Sequence, residues 1–487
     1  MVAPQKLELK FLLLSIPYLI IVITFIKILF IVFSSPIMGY GNNYDFLRQS
    51  SCTGLWQNYS EKSKISTNPE APVNSLTYDK ETLKKVCMHS VDNLFSHIAV
   101  KFHSAGEKLD FREISLWKIT FLLISIIILL FLSKDFFSKM AISLSFFLVF
   151  GDIANLLYVN TLYMEFSVIL GCYFSLSSII LMTSSDDQST KRIILFFIFF
   201  SLFLGASKQQ YMPFSAFLTF ILAIHVLFRW KIRKLSLILL LISVAIPAIY
   251  IQLNKENSGH MRGINFANKT DTFLWAVLPA AIDKSAALNV LGLPETCSAG
   301  IGKSWYSPGL QDNHPCPEVE HTSRIKLLKL FILQPNVFFQ PIDQAISGIY
   351  PYYPSYLGHV ENSVTLNSSE YKLYKNTSLS HVIALLPMQK LDLILKIFLI
   401  LGVFLFSVNL ITRYLLSNRL ICAAVGFGGI LATYAVLSSV FGDGYVELQK
   451  HAVAFLIGIS FQITGLIILV LQYIFIYLKI SPLKSTG

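Results

Sequence analysis

Ten long apolar runs divide this chain, and no other feature limits its fold as strongly. They lie at residues 11–34, 115–133, 140–156, 166–183, 193–207, 212–229, 235–253, 391–412, 420–441 and 452–478. A helix rises about 1.5 Å per residue, so about 20 apolar residues cross the hydrocarbon core of a bilayer. Backbone polar groups find no water there, and such runs must satisfy them internally as helices. The expected fold is an all-α polytopic membrane protein of about ten transmembrane helices. Composition agrees: 54% of residues are hydrophobic and 14% charged, against about a quarter charged in soluble domains.

Two polar intervals interrupt the runs. They suggest an N-terminal signal-anchor helix at 1–34, a first extracytoplasmic loop at 35–114, helices 2–7 at 115–253, a second extracytoplasmic region at 254–390, and helices 8–10 with a cytoplasmic tail at 391–487. The first run is too long and too uniformly apolar for a cleaved signal peptide. Basic residues in the short connections set the orientation. With a cytoplasmic N-terminus, Lys6 and Lys10, Lys134 and Lys139, Lys191 and Arg192, the run Arg229, Lys231, Arg233 and Lys234, Arg413 and Arg419, and Lys479 and Lys484 all fall on the inner side. Both termini are then cytoplasmic. The net charge of +11 reads as topogenic rather than as a nucleic-acid footprint, because the basic residues gather at the ends of apolar runs.

Cysteine usage points the same way. Cys52 and Cys87 lie in the first outer interval and Cys297 and Cys316 in the second, where an oxidising compartment permits disulfides. Pairing within each interval is the simplest connectivity, although sequence leaves the choice open. Cys172 and Cys422 fall within apolar runs and read as packing residues. Residues 318–333 and 381–396 read as amphipathic or interfacial helices, and the Pro- and Tyr-rich stretch 350–356 as a turn suited to lipid headgroups.

The chain has neither GxxxxGK[ST] nor a strand-borne GxGxxG, so no nucleotide site is announced, and no cluster has metal-ligand spacing. The conspicuous polar residues lie instead at the outer ends of the runs, where an ionisable group beside hydrocarbon is costly. In GYGNNYDFLRQ, residues 39–49, Asp45 is a candidate general base at i, i+3 spacing from Arg48; the simpler reading is a helix cap paired with that arginine. In GDIANLLYVNTLYMEFS, residues 151–167, Asp152, Asn155, Asn160, Tyr163 and Glu165 make either a functional re-entrant turn or an ordinary hydrogen-bonded one. In GASKQQY, residues 205–211, Lys208 beside Gln209 is either a phosphate ligand or a snorkelling lysine. In FGDGYVELQKH, residues 441–451, Asp443 precedes Glu447, Lys450 and His451, which share one helical face. That set is either functional or a cap with an i, i+3 pair. His225, inside a run, lacks ligand spacing and reads as structural. Asn58, Asn268, Asn367 and Asn376 head Asn-x-Ser/Thr triplets in the outer intervals.

By these groups the chain resembles the GT-C superfamily of integral-membrane glycosyltransferases, in particular bacterial hexose transferases of surface-glycan and S-layer glycan assembly. An acidic residue soon after the first span is that family's usual candidate base, which the resemblance sets at Asp45 in NNYDFLRQ. The family's polar turn ending in small-Tyr-x-Glu resembles VNTLYME, with Asn160, Tyr163 and Glu165. A Lys-Gln pair after a middle span resembles Lys208 and Gln209. Gly-Asp-Gly followed by Lys-His resembles Gly442 to Gly444 with Lys450 and His451. Together with the residue reading, this implies catalytic roles for Asp45 and Glu165 and substrate-binding roles for Arg48, Asn160, Tyr163, Lys208, Gln209, Asp443, Glu447, Lys450 and His451. It also implies a multi-pass protein of the plasma (inner) membrane. One departure concerns metal: many members carry DxD or ExD in the first loop, whereas Asp45 has no acidic residue close by in sequence, so the need for Mg or Mn is left open.

A transferase on the outer face has no supply of nucleotide sugars. The expected donor is a polyprenyl-phosphate hexose in the bilayer and the acceptor a glycan or lipid-linked glycan, with inversion at the anomeric carbon. Membrane lipids are expected partners and nucleic acid is not. Two other classes stay open at this point. A flippase or transporter of lipid-linked glycan would carry polar residues in mid-span, and a non-catalytic subunit of an assembly complex would tolerate loss of each outer polar group.

Overall fold

The computed structural model describes residues 4–35, 37–39, 44–56, 75–81, 86–184, 187–230, 232–255, 258–354, 357, 378–411 and 419–478. Lys231, Arg413, Lys479 and Lys484, the triplets at Asn58, Asn367 and Asn376, residues 40–43 of the first polar group and the end of the 350–356 turn lie outside them.

Each apolar run is helical. The first is α1 (Pro4–Phe33), and the first polar interval holds α2 (Tyr44–Thr53). The same interval holds β1 (Leu55–Trp56), β2 (Ser75–Tyr78), α3 (Asn93–Val100) and β3 (Lys108–Asp110). The strands form an antiparallel sheet in the order β1-β2-β3, with Leu55 opposite Tyr78 and Leu76 opposite Leu109. An all-helical reading does not anticipate this sheet, because its strands are too short to show a clear alternation. Asp110 closes β3 and starts α4 (Phe111–Leu132) with a capping box to Glu113, which satisfies two orphan amides. The helix therefore begins four residues before the apolar run at 115.

Next come α5 (Phe136–Phe150), α6 (Ile153–Leu156), α7 (Glu165–Ser184), α8 (Asp187–Gly205), α9 (Met212–His225) and α10 (Arg233–Leu253). The second polar interval supplies α11 (Ser258–Thr270), α12 (Lys284–Leu291), α13 (Lys326–Leu333), α14 (Asn336–Gly348) and α15 (Leu379–Ala384). The chain returns to the bundle as α16 (Met388–Ile411) and α17 (Arg419–Asp443), makes the short α18 (Leu448–His451), and ends its described part with α19 (Val453–Tyr477). Residues 388–396, expected within a separate interfacial helix, are the first turns of α16.

Among the described residues, eight helices are long and apolar enough to cross a membrane. The run expected at 140–156 is the shorter α5, because the helix stops at Gly151 and a turn follows. The run expected at 193–207 lies in α8, which is not one of the eight and whose first turns carry Lys191 and Arg192. Helix α7 is central, with 94% of its apolar window buried, whereas α16 has only 22% and faces outward. Close approach of α16, α17 and α19 depends on small residues: a Cβ at Gly402 would collide with Gly429, and one at Gly458 with Gly428 and Ala432. Small residues let backbones meet where no hydrophobic effect drives association.

Both polar intervals are tied internally, by Cys52–Cys87 and by Cys297–Cys316, with Cα atoms 4.9 and 4.6 Å apart. The second encloses its own apolar core, with Phe273, Leu288, Val319, Leu327 and Val337. Since successive spans reverse direction, the ends of α1, α5, α8, α10 and α17 meet the starts of α4, α7, α9, α16 and α19 at one end of the bundle.

Candidate functional site

At that end is a cavity of about 740 Å³. Helix α2 brings Asp45 and Arg48 to it. The Cys52–Cys87 bridge, together with the Met88 amide donating to the Arg48 carbonyl at 3.0 Å, seats α2 against the segment carrying Met88. The turn after α5 delivers Tyr163 and Met164, and Glu165 opens α7, where a helix N-terminus favours an anion. Lys208 stands at the break between α8 and α9 in extended conformation, followed by a 3-10 turn with Gln209 and Gln210. The last wall is the end of α17 with Asp443, and then His451 of α18. Between them the chain turns at Gly444, whose φ of +64° suits glycine and where a Cβ would stand 2.6 Å from the Asp271 carbonyl oxygen. Glu447 also has positive φ, +42°, a strained conformation for a side-chain-bearing residue.

The charges form two chains of contacts. In the first, the Lys208 Nζ is 2.6 Å from Glu165 Oε1 and 3.3 Å from His451 Nδ1, and His451 Nε2 is 2.7 Å from Asp443 Oδ2. An ammonium only donates, so Nδ1 accepts and the pattern assigns the ring proton to Nε2, facing the aspartate. Asn268 turns its amide nitrogen to the other Asp443 oxygen at 2.8 Å in the orientation that satisfies both its ends. In the second chain, Asp45 pairs with both Arg48 and Lys450, and Lys450 also pairs with Glu447. The Arg48 Nε–H donates to His260 at 3.2 Å, and the Lys450 ammonium lies 5.3 Å from the Tyr163 ring centre. Burial opposes ionisation of Asp45, but Lys450 and Arg48 outweigh it and hold the carboxyl well below the usual carboxylate range. Sequence left that contest open, and the cations win it.

Among the sequence candidates, Asp45, Arg48, Tyr163, Glu165, Lys208, Gln209, Asp443 and His451 line the cavity, and Lys450 and Glu447 join it through Asp45. Asn160 does not. Its amide donates to the Val32 and Met38 carbonyls at 3.2 and 3.0 Å and its oxygen accepts from Ser115 at 2.7 Å, so the side chain is used up in joining α1, α4 and the turn. Asp152 likewise caps α6 and accepts from the Ser380 amide and hydroxyl. Asn268, a sequon from sequence, stands in a helix facing the cavity, not in the surface loop that a glycan acceptor needs.

Arg262, Arg324 and Gln210 line the cavity without having been singled out. No local pattern marks them, since each contributes through the folding of the second interval or a helix break. The buried pair of Asp92 and Lys118, 3.1 Å apart, was also missed. Lys118 carried a signal, being a lysine inside an apolar run.

For a divalent cation the fit is poor. Each cavity carboxylate faces a lysine, arginine or histidine. Among the described residues, the triads with ligand spacing are Cys52, Cys87 and His89, and Cys297, Cys316 and Glu318, and disulfides occupy the sulfurs in both.

Fold and cavity together define a polytopic helical membrane protein with an ion-paired chamber at one end of its bundle. The chain belongs to the family described as the YfdI N-terminal transmembrane domain, whose model matches residues 5–482. No curated protein and no solved structure matches it.

Proposed function

We propose that this protein is a membrane glycosyltransferase that moves a hexose from a polyprenyl-phosphate donor to a hydroxyl of a glycan or lipid-linked acceptor on the extracytoplasmic face of the plasma membrane. One observation carries the reading: Asp45, Arg48, Glu165, Lys208, Asp443 and His451, drawn from distant parts of the chain, converge in one cavity. A volume of about 740 Å³ is in the range that holds a small ligand. Arg48, Lys208, Arg262 and Arg324 supply cations along its wall, and cations fixed near a leaving phosphate stabilise the charge that grows there.

An arriving phosphate competes with Asp45 for Arg48 and with Glu165 for Lys208. Asp45, with its side chain 20% exposed, is then turned toward the acceptor, while Glu165, 2% exposed, keeps Lys208 in place. The acceptor oxygen attacks the anomeric carbon from the side opposite the phosphate, and its proton passes to Asp45. The bond from the anomeric carbon to the phosphate oxygen breaks, its electron pair stays on the polyprenyl phosphate, and a single displacement inverts the carbon.

The test is hexose transfer from synthetic polyprenyl-phosphate hexoses by the purified protein in proteoliposomes. Turnover by the wild type and its loss in Lys208→Ala are expected; a wild type that neither binds nor consumes any such donor would overturn the reading. Orientation is tested separately with Ser307→Cys, which an impermeant maleimide should label in intact cells. Labelling only after permeabilisation would put the cavity on the cytoplasmic face.

A further inference from the structure

Helices α13 and α14 present an apolar face that nothing among the described residues covers. Along α13 the buried side is Leu327 and Leu330, which enter the core of the second interval. The opposite side carries Ile325, Leu328 and Ile332 at i, i+3 and i+7, and Ile325 and Ile332 are 76% and 81% exposed. Leu333 and then Phe339 of α14, 65% exposed, extend the patch. A helix apolar on both sides needs apolar cover on both.

The depth of the hairpin indicates what covers it. Asp343 of α14 pairs with Lys396, and the Ser347 hydroxyl donates to Asp392 at 3.4 Å. Lys396 is five residues inside the span Leu391–Val408, or about 7 Å along its axis. Helix α14 thus flanks the first turns of a helix long and apolar enough to cross a membrane. The exposed side of α16 beside it is itself lipid-facing, with Leu393, Ile397 and Ile400 outward. Lys329, exposed on α13, suits the headgroup level.

We infer that the α13–α14 hairpin is seated in the membrane leaflet at the cavity end of the bundle, with Ile325, Leu328, Ile332, Leu333 and Phe339 among the acyl chains. The polar interval 254–390, in which residues 318–333 read from sequence as an amphipathic or interfacial helix, therefore has a membrane-embedded part. The hairpin also separates lipid from the cavity: Phe331 and Phe338 pack on Phe441, a cavity-lining residue, with ring centres 4.9 and 5.7 Å apart.

The test uses nitroxide labels at Ile332→Cys and, independently, at Phe339→Cys, in a Cys422→Ala background, Cys172 being buried. The protein is reconstituted in vesicles of phosphatidylcholine and phosphatidylglycerol, and collision with apolar oxygen is compared with collision with a polar nickel chelate. At both sites the oxygen-to-nickel ratio should exceed severalfold that of a label at Asp312→Cys, an exposed position elsewhere in the interval. A ratio equal to that at 312 would place the face in water, and shielding from both reagents would mean that protein covers it. Either result overturns the inference.

Discussion

Two sets of ion pairs at the same end of the bundle differ in how their charges are held. Asp92 and Lys118 are almost completely buried. Asp92 accepts from the Ser167 hydroxyl at 2.7 Å and Lys118 donates to the Thr161 carbonyl at 2.8 Å, so each has a fixed place between α4, α7 and the turn before it. In the cavity, by contrast, partners are shared: Asp45 has two cations, Lys450 has two carboxylates, and Asp45 and Glu447 are 20% and 28% exposed. A charge whose partners are all used and dry can only be removed or kept. A shared, partly wet charge can exchange a partner for a ligand at small cost, since its lost contact is replaced. The first arrangement is scaffold and the second is suited to chemistry.

The largest effect expected from this contrast is on stability. Lys118→Met leaves Asp92 buried without its cation, at a cost of roughly 3–5 kcal/mol, and thermal unfolding in detergent should show it. Adding Asp92→Leu should restore much of the loss. A Lys118→Met protein that melts like wild type yet fails in transfer would move this pair from scaffold to site. Next, Asp45→Asn should lower transfer by roughly 100-fold, as loss of a general base does, with melting and donor binding little changed. Near-normal turnover would remove Asp45 as base and direct attention to Asp443.

A smaller effect is expected from Cys52→Ser, about 2 kcal/mol, at the low end for a disulfide, because Gln49 and Arg48 also hold the Met88 segment. Peptide mapping without reductant should find Cys52 joined to Cys87, and free thiols at both in fresh membranes would contradict the pairing. A separate, pH-dependent effect concerns Asp271, behind the Gly444 turn. Burial lifts its carboxyl from 3.8 to about 7, and Asp443 adds to the rise. Between those values the folded protein binds more protons than the unfolded chain, so its stability declines as pH rises through that window and is level above it. The melting temperature should fall by a few degrees across it, and Asp271→Asn should flatten the profile. A wild-type profile already flat would mean that the carboxyl titrates normally.

Much of this was legible beforehand. Each of the ten apolar runs contains a helix, eight of which are long and apolar enough to cross a membrane, and most of the polar residues flagged at the ends of the runs line one cavity. Asn160 stands apart from the cavity, and sequence does not show this because a polar residue in a buried turn looks the same whether it faces a cavity or binds backbone carbonyls. The place of Asn268 in a helix facing the cavity was not legible either, because a triplet motif carries no information about the helix that contains it. The short sheet of the first interval was not legible, and α13 was legible only as part of an amphipathic or interfacial helix, since the rest depends on what neighbouring segments cover.

What the sequence alone determined is local in origin. Hydropathy accumulates residue by residue, so the helical membrane class and the helix ends at which charges cluster could be read from it directly. Which charge meets which was decided by tertiary structure. Lys450 and Asp45 are 405 residues apart, and they pair because the fold sets α18 beside α2. Whether Asp45 stays ionised depends on that meeting, because the same burial without the two cations would favour the protonated acid.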